Sequence, residues 1–212
     1  MPNKSYLTWA FYYTKTIYKG LTMKAATHKR LLDSARKLIW KQGISKTSVD
    51  QICEDSGLSK MTFYRAYENK YDIIKEILDE NYSTMAVDYE QIFNRNIPFI
   101  EKVMELIYYI MSSVKEISPD LIRDIVKQDN PHLKDYMLSK IEFQRDLSLK
   151  YIIIEQKKGN FRNDVKLEFI SFFLVHINEL ALEERLNNIY DSTDELVSQL
   201  TKMFYFGILS RN

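Results

Sequence analysis

The chain has 212 residues, with 30 Lys and Arg against 29 Asp and Glu, for a formal net charge of +1. That length suffices for one large domain or two small ones with a real core, and the overall balance excludes a histone-like or ribosomal-type basic protein. One cysteine, Cys53, excludes an intramolecular disulfide framework and a multi-cysteine zinc site, and five glycines with four prolines leave little material for a loop-rich or all-β fold.

The near-neutral total hides a division. Residues 1–75 carry 14 basic and 6 acidic side chains, a difference of +8, whereas residues 76–212 carry 16 and 23, a difference of −7. A basic end on an acidic remainder points to a polyanionic partner at that end. Apolar residues recur every three to four positions, which predicts an all-α chain. No run approaches the roughly 18 uninterrupted apolar residues of a membrane span, so no membrane partner is expected.

Residues 1–22, MPNKSYLTWAFYYTKTIYKGLT, hold many aromatics, no acid and no clean helical stripe. Lys15 and Lys19 interrupt the apolar stretch and no small-residue cleavage site follows, unlike a signal peptide. The segment reads as translated leader or extension ahead of a natural start at Met23; a basic arm for a DNA minor groove is the alternative. Helix 1 is predicted from about Ala25 to Gln42, with Leu31, Leu32, Ala35, Leu38 and Ile39 on one stripe and Gly43 ending it. Ser48-Val-Asp-Gln51 is a capping box that opens helix 2, about Val49–Asp55, stopped by Gly57. Ser59 caps helix 3, about Lys60–Ala66, and Asn69 caps a long helix 4 from near Lys70. Asn96 with Pro98 opens helix 5. Ser118-Pro119 and Asn130-Pro131 each read as a cap followed by proline at the first helical position. The helix after Pro131 runs to Lys158, before Gly159. Asn163 or Asp164 opens the eighth, and Ser192-Thr-Asp-Glu195 opens a ninth through Leu209.

Residues 43–67, GISKTSVDQICEDSGLSKMTFYRAY, join two short capped helices through Asp55-Ser56-Gly57-Leu58. A glycine in so tight a turn is the helix-turn-helix arrangement. Val49, Ile52, Cys53, Leu58 and Phe63 form its small core. The exposed face of the second helix offers Lys60, Met61, Thr62, Tyr64 and Arg65, which suit a major groove: hydrogen-bonding tips, an apolar contact for a thymine methyl, and cations for phosphate.

This segment resembles the DNA-binding domain of the TetR family of transcriptional regulators over about residues 27–75. The matching residues are the helix-1 apolar set ending in Gly43, Thr47-Ser48-Val49, Ile52-Cys53, Ser56-Gly57-Leu58-Ser59, Thr62-Phe63-Tyr64, Tyr67, Lys70 and Ile73-Ile74. The family usually has glycine or proline near Met61, phenylalanine or valine at Tyr67, and a polar residue at Ala66. The resemblance implies a TetR-like all-α fold of about nine helices. A helix-turn-helix domain would occupy residues 23–75 and a helical effector-binding and dimerisation domain residues 76–212. It implies base reading by Lys60, Met61 and Thr62, and phosphate contacts from Thr47, Ser48, Tyr64, Arg65 and Lys70. Lys24, Lys29 and Arg30 would track the backbone or minor groove.

The resemblance further implies a homodimer on a double-stranded DNA operator, a small-molecule effector and a cytoplasmic location. An apolar or aromatic effector would meet Tyr108, Tyr109, Phe143, Tyr151, Phe172 and His176, although these residues also read as ordinary core. The last two helices carry stripes, Phe169, Phe173, Ile177 and Leu180, then Leu196, Leu200, Met203, Phe204 and Gly207. They read as half of a four-helix dimer interface, with monomer core as the alternative. A TetR-like protein acting through another protein, as a coactivator, is the rival reading. No nucleophile–base pair, metal motif or phosphate loop is present, so neither an enzyme nor a cofactor is expected. His28, His132 and His176 include no helical metal pair, Cys53 reads as a small buried hydrophobe, and Glu183-Glu184 as helix surface.

Overall fold

The computed structural model describes residues 25–115, 117–127, 131–181, 183–190 and 192–210. The reading of residues 1–22 and the arm lysine Lys24 lie outside them. Among the described residues there are ten helices, and the only extended pairing is an isolated bridge between Phe161 and Leu209. The helices are α1 Ala25–Lys46, α2 Val49–Ser56, α3 Lys60–Ala66, α4 Lys70–Asn94, α5 Phe99–Val114, α6 Pro119–Lys127, α7 Lys134–Lys157, α8 Leu167–Ala181, α9 Glu184–Asn187 and α10 Thr193–Gly207. The chain divides into two compact units between Glu80 and Asn81, inside α4.

In the N-terminal unit, the apolar stripe of α1 buries Leu31, Leu32, Ala35 and Ile39. The helix breaks at Gly43 (φ 81°, ψ 171°), a backbone state open to glycine, before a last turn to Lys46. The capping box of α2 forms as the sequence predicts: Gln51 N–H donates to Ser48 Oγ and Ser48 N–H to Gln51 Oε1. Gly57 closes α2 in the left-handed region (φ 62°), its N–H donating to the carbonyls of Cys53 and Glu54. Ser59 Oγ accepts from Thr62 N–H to start α3. Ile52, Phe63, Ile73, Ile74 and Ile77 are fully buried and close this small core.

The C-terminal unit is built on a second cluster. Tyr89 and Phe93 of α4, Val103, Leu106 and Ile107 of α5, Tyr151 and Ile152 of α7, Phe161, Ile170 of α8, and Phe204, Tyr205 and Ile208 around the end of α10 make it up. Ser118 caps α6, accepting from Leu121 N–H, with Pro119 at the first position as predicted.

Four predicted boundaries are corrected. Helix α5 starts at Phe99 with Pro98 as its cap residue, because proline keeps the preceding Ile97 out of the helical region. Helix α7 starts at Lys134, after a turn that buries Leu133, and not at Pro131. Helix α8 starts at Leu167: the Asp164 carboxylate accepts from the Arg162 guanidinium at 2.7 and 2.5 Å rather than opening a helix. Helix α10 stops at Gly207 because Leu209 pairs with Phe161, while Arg162 N–H donates to Ile208 O. The short α9, with Glu183 as its cap residue, adds a helix the sequence reading lacked.

A Cβ at Gly57 would lie 3.1 Å from Arg30 Nη2, in a backbone state that costs an L-residue about 1–2 kcal/mol. Gly57→Ala is therefore expected to lower the thermal unfolding midpoint of the N-terminal unit, as followed by circular dichroism. An unchanged midpoint would show that the turn does not need glycine.

Candidate nucleic-acid interface

Helix α3 buries Phe63 and Ala66 and turns the rest of its surface outward. Met61 is 68% exposed and Tyr64 55%, the Tyr64 ring set edge-on to Phe63 with centroids 5.4 Å apart. Arg65 is exposed and lies over Met61, its Nη2 3.6 Å from the thioether sulfur. Lys60 Nζ sits 2.8 Å from Asp50 of α2, which raises the lysine pKa through that hydrogen bond. Thr62 Oγ1 shares a hydrogen bond with Ser59 Oγ at 3.0 Å. Ser48 stays exposed at the start of α2. Lys60, Met61, Thr62, Tyr64, Arg65 and Ser48 are thus presented by two adjoining short helices.

Three other predicted contacts go elsewhere. Thr47 is 1% exposed, with Oγ1 donating to Gly43 O at 2.7 Å, so its hydroxyl cannot meet a phosphate in this conformation. Lys70 Nζ donates to the carbonyls of Ile44 (3.0 Å) and Thr47 (2.9 Å), at the end of α1, leaving one ammonium proton uncommitted by these bonds. Arg30 Nη2 donates to Ser56 O at the end of α2. The cation satisfies a carbonyl that the helix itself leaves unpaired. Lys29 is exposed on the first turns of α1. Cys53 is buried and burial pushes its thiol up, in keeping with a small hydrophobe.

The sequence reading missed a polar cluster beneath α3. Tyr67, which ends the helix and is almost fully buried, donates its hydroxyl proton to Glu76 Oε2 at 2.8 Å. The Tyr67 hydroxyl oxygen also lies 2.8 Å from His28 Nε2, and that nitrogen is 3.0 Å from Glu76 Oε1. The hydrogen bond from Glu76 raises the His28 pKa, against a lowering by burial. The departure from phenylalanine at position 67 is the signal that was available.

In the C-terminal unit the predicted effector residues do not form one group: Tyr109 and Tyr151 share a neighbour, Phe172 and His176 stack on each other, and Tyr108 and Phe143 lie apart from these contacts. Tyr109 and Tyr151 both meet Tyr89, with centroids 6.2 and 6.1 Å away, and Tyr151 stacks on Phe93 at 4.4 Å. Burial, and then Asp88 beside it, push the Tyr109 hydroxyl up to about 12. Tyr108 is 74% exposed, Phe143 packs edge-on to Tyr82, and Phe172 is exposed against His176, whose Nδ1 lies 2.7 Å from Phe172 O. Hydroxyls the sequence reading did not single out, those of Tyr89, Ser148 and Tyr205, hydrogen-bond to one another inside the apolar core.

The predicted interface also divides. Leu196 and Phe204 are buried and Phe173 stacks on Phe204 at 5.2 Å, so these belong to the core of the unit. Ile177 and Leu200 are half-buried. Phe169 (63% exposed), Phe172 and Leu180 face outward on α8, and Met203 (72%), Phe206 and Gly207 on α10. Among the described residues, no group of three or more His, Cys, Asp or Glu side chains could hold a metal ion, and no helix is long and apolar enough to cross a membrane.

Because Lys70 holds two carbonyls, Lys70→Met is expected to destabilise the DNA-free protein by about 1–2 kcal/mol, since hydrogen bonds from charged groups are worth more than neutral ones. Urea unfolding checks this. Unchanged stability would return Lys70 to the role of a free phosphate ligand.

Residues 31–77 match the family described as bacterial regulatory proteins, tetR family. The chain is 23% identical over 195 residues to the uncharacterised HTH-type transcriptional regulator YvkB of Bacillus subtilis (strain 168), covering 86% of this chain and 97% of that one. It superposes on the regulatory protein TetR from Rhodobacter sphaeroides with a TM-score of 0.70 at 13% identity, covering 87% and 100% of the two chains. The fatty acid degradation regulator FadR from Bacillus halodurans gives 0.68 at 16% identity over 89% and 100%. The capped helix pair and the match over residues 31–77 identify the N-terminal unit as a helix-turn-helix DNA-binding domain of the tetR family type, and the described chain has a TetR-like all-α fold.

Proposed function

We propose that the protein is a homodimeric repressor that binds a roughly palindromic operator and is released by a small apolar or aromatic effector. The observation that carries the DNA-binding reading is the outward face of α3, where Lys60, Met61, Thr62, Tyr64 and Arg65 stand together above a buried Phe63. Lys60, Met61 and Thr62 read base edges; Ser48, Tyr64 and Arg65 grip phosphates, and the exposed Lys29 of α1 tracks the backbone or minor groove. Two copies would set their α3 helices in successive major grooves, about 34–36 Å apart.

Dimerisation through α8 and α10 is supported by their several exposed large apolar residues, Phe169, Phe172, Leu180, Met203 and Phe206, because exposed apolar surface, where it is extensive, marks an interaction site. The effector reading is supported by the aromatic cluster around Tyr89, Tyr109 and Tyr151, whose hydroxyls lie among apolar side chains, the mix that small-molecule sites use. An effector that binds one spacing of the two heads better than another shifts the protein toward that state by its differential affinity alone. A repressor excludes RNA polymerase while it occupies the operator.

Selection of operator sequences from random DNA, followed by titration at several salt concentrations, tests the reading. Arg65→Gln is expected to weaken binding on every sequence and to lower the slope of log K against log salt by about one unit. Lys60→Gln is expected to relax preference at one operator position. Binding without sequence preference would instead favour the protein-contact rival.

Phe169→Glu and Met203→Glu are expected to yield monomers by light scattering and to lose operator affinity with them. A dimer that survives both changes would move the interface off α8 and α10.

A further inference from the structure

The cluster of His28, Tyr67 and Glu76 joins three parts of the N-terminal unit that have no sequence neighbourhood. His28 is on the second turn of α1, Tyr67 ends α3, and Glu76 is on the second turn of α4. Tyr67 is bound to the recognition helix twice over. Its N–H donates to Phe63 O at 3.0 Å, and its ring packs on Phe63 with centroids 5.4 Å apart. Phe63 in turn backs Tyr64. Whatever fixes the Tyr67 hydroxyl therefore fixes the end of α3.

Two groups fix it. The hydroxyl donates to Glu76, and the imidazole nitrogen Nε2 approaches both the Tyr67 oxygen and the second Glu76 oxygen. A carboxylate accepts only, so the arrangement needs the proton of Tyr67 on its oxygen and a proton on His28 Nε2. With His28 doubly protonated, Glu76 faces a full opposite charge in a partly buried setting, where an ion pair is screened less than at the surface. The rings of His28 and Tyr67 also lie near-parallel, 20° apart. The charged groups facing His28 are Glu76 and Glu80, both from α4, and Glu80 is itself paired with Arg36 of α1.

We propose that Glu76 and His28 are positioning residues for DNA recognition: through the Tyr67 hydroxyl they form a charge-dependent latch on the end of α3, so that operator affinity falls when His28 loses its proton. This rests on the DNA-binding reading above. It goes beyond it by assigning a role to three residues that need not touch DNA. Glu76 holds His28 above its ordinary value. The folded state therefore favours the protonated form: the ion-pair part of the latch is fully present below about pH 6.5 and is lost as pH rises through the raised value, while the hydrogen bonds, which need only the Nε2 proton, persist.

The test compares wild type with Tyr67→Phe and Glu76→Gln, which keep ring and shape, by fluorescence anisotropy on the selected operator from about pH 6 to pH 8 at fixed ionic strength. Wild-type Kd is expected to rise severalfold across that window. Both variants are expected to show a flat profile near the wild-type high-pH limit. A Tyr67→Phe variant that keeps the wild-type profile would overturn the latch, leaving His28 to act by its charge alone. In DNA-free protein, thermal unfolding of the wild type is expected to lose stability as pH rises through the same window, and Glu76→Gln, which removes the charge that raises His28, to show little of that loss. Imidazole NMR is expected to place the His28 titration lower in Glu76→Gln. These two readouts decide the latch even if no operator is bound; identical pH profiles of stability, or an unmoved His28 titration, would sink it.

Discussion

Helices of eight and seven residues do not hold themselves together in water, because the first turn costs more than its one hydrogen bond returns. Helices α2 and α3 are of that length, and much of the N-terminal unit serves to make them stand. Ser48, Ser59 and Gly57 satisfy backbone groups at their ends. Phe63 and Ile52 supply buried area between them. Arg30 and Lys70 are directed to carbonyls at the ends of α2 and α1. A cation at a helix C-terminus also meets the negative end of its dipole. The basic character of this unit is thus divided between holding up a pair of marginal helices and facing outward from them.

That division explains what could be read from residues alone. The caps were legible because they are local: Ser48 and Gln51, or Ser59 and Thr62, lie three positions apart and need no tertiary contact. The outward set on α3 was legible for a similar reason, since a seven-residue helix has one face for Phe63 and Ala66 and little choice for the rest. The partners of Lys70, Arg30 and Thr47 were not legible. A lysine 26 residues from the carbonyl it holds looks, in the sequence, like any free cation. His28, Tyr67 and Glu76 carry no shared motif, and their meeting depends on how α1, α3 and α4 pack.

The C-terminal unit shows the same limit in apolar residues. Neighbours such as Met203 and Phe204, or Phe172 and Phe173, look alike in composition, yet one of each pair is exposed and the other packs inward. A helix advances about 100° per residue, so a stripe drawn one position off exchanges surface for core. Tyr108 and Tyr109 separate in the same way. Helix boundaries failed at Pro98, Pro131 and Asp164, where a local signal was real but had another use: restricting the residue before it, leading a turn, or holding Arg162.

The pair between Lys60 and Asp50 has a consequence for discrimination. A lysine that is already neutralised brings no free charge to a new partner; it offers an exchange. What it would contribute in the proposed DNA complex is the difference between two pairings. The carboxylate it leaves behind then stands near a phosphate chain of its own sign. Both side chains are exposed, so the pair is weak; in the proposed complex the exchange favours an acceptor better placed than Asp50 over other points along the backbone. A side chain that would otherwise attract any polyanion is in this way made to choose.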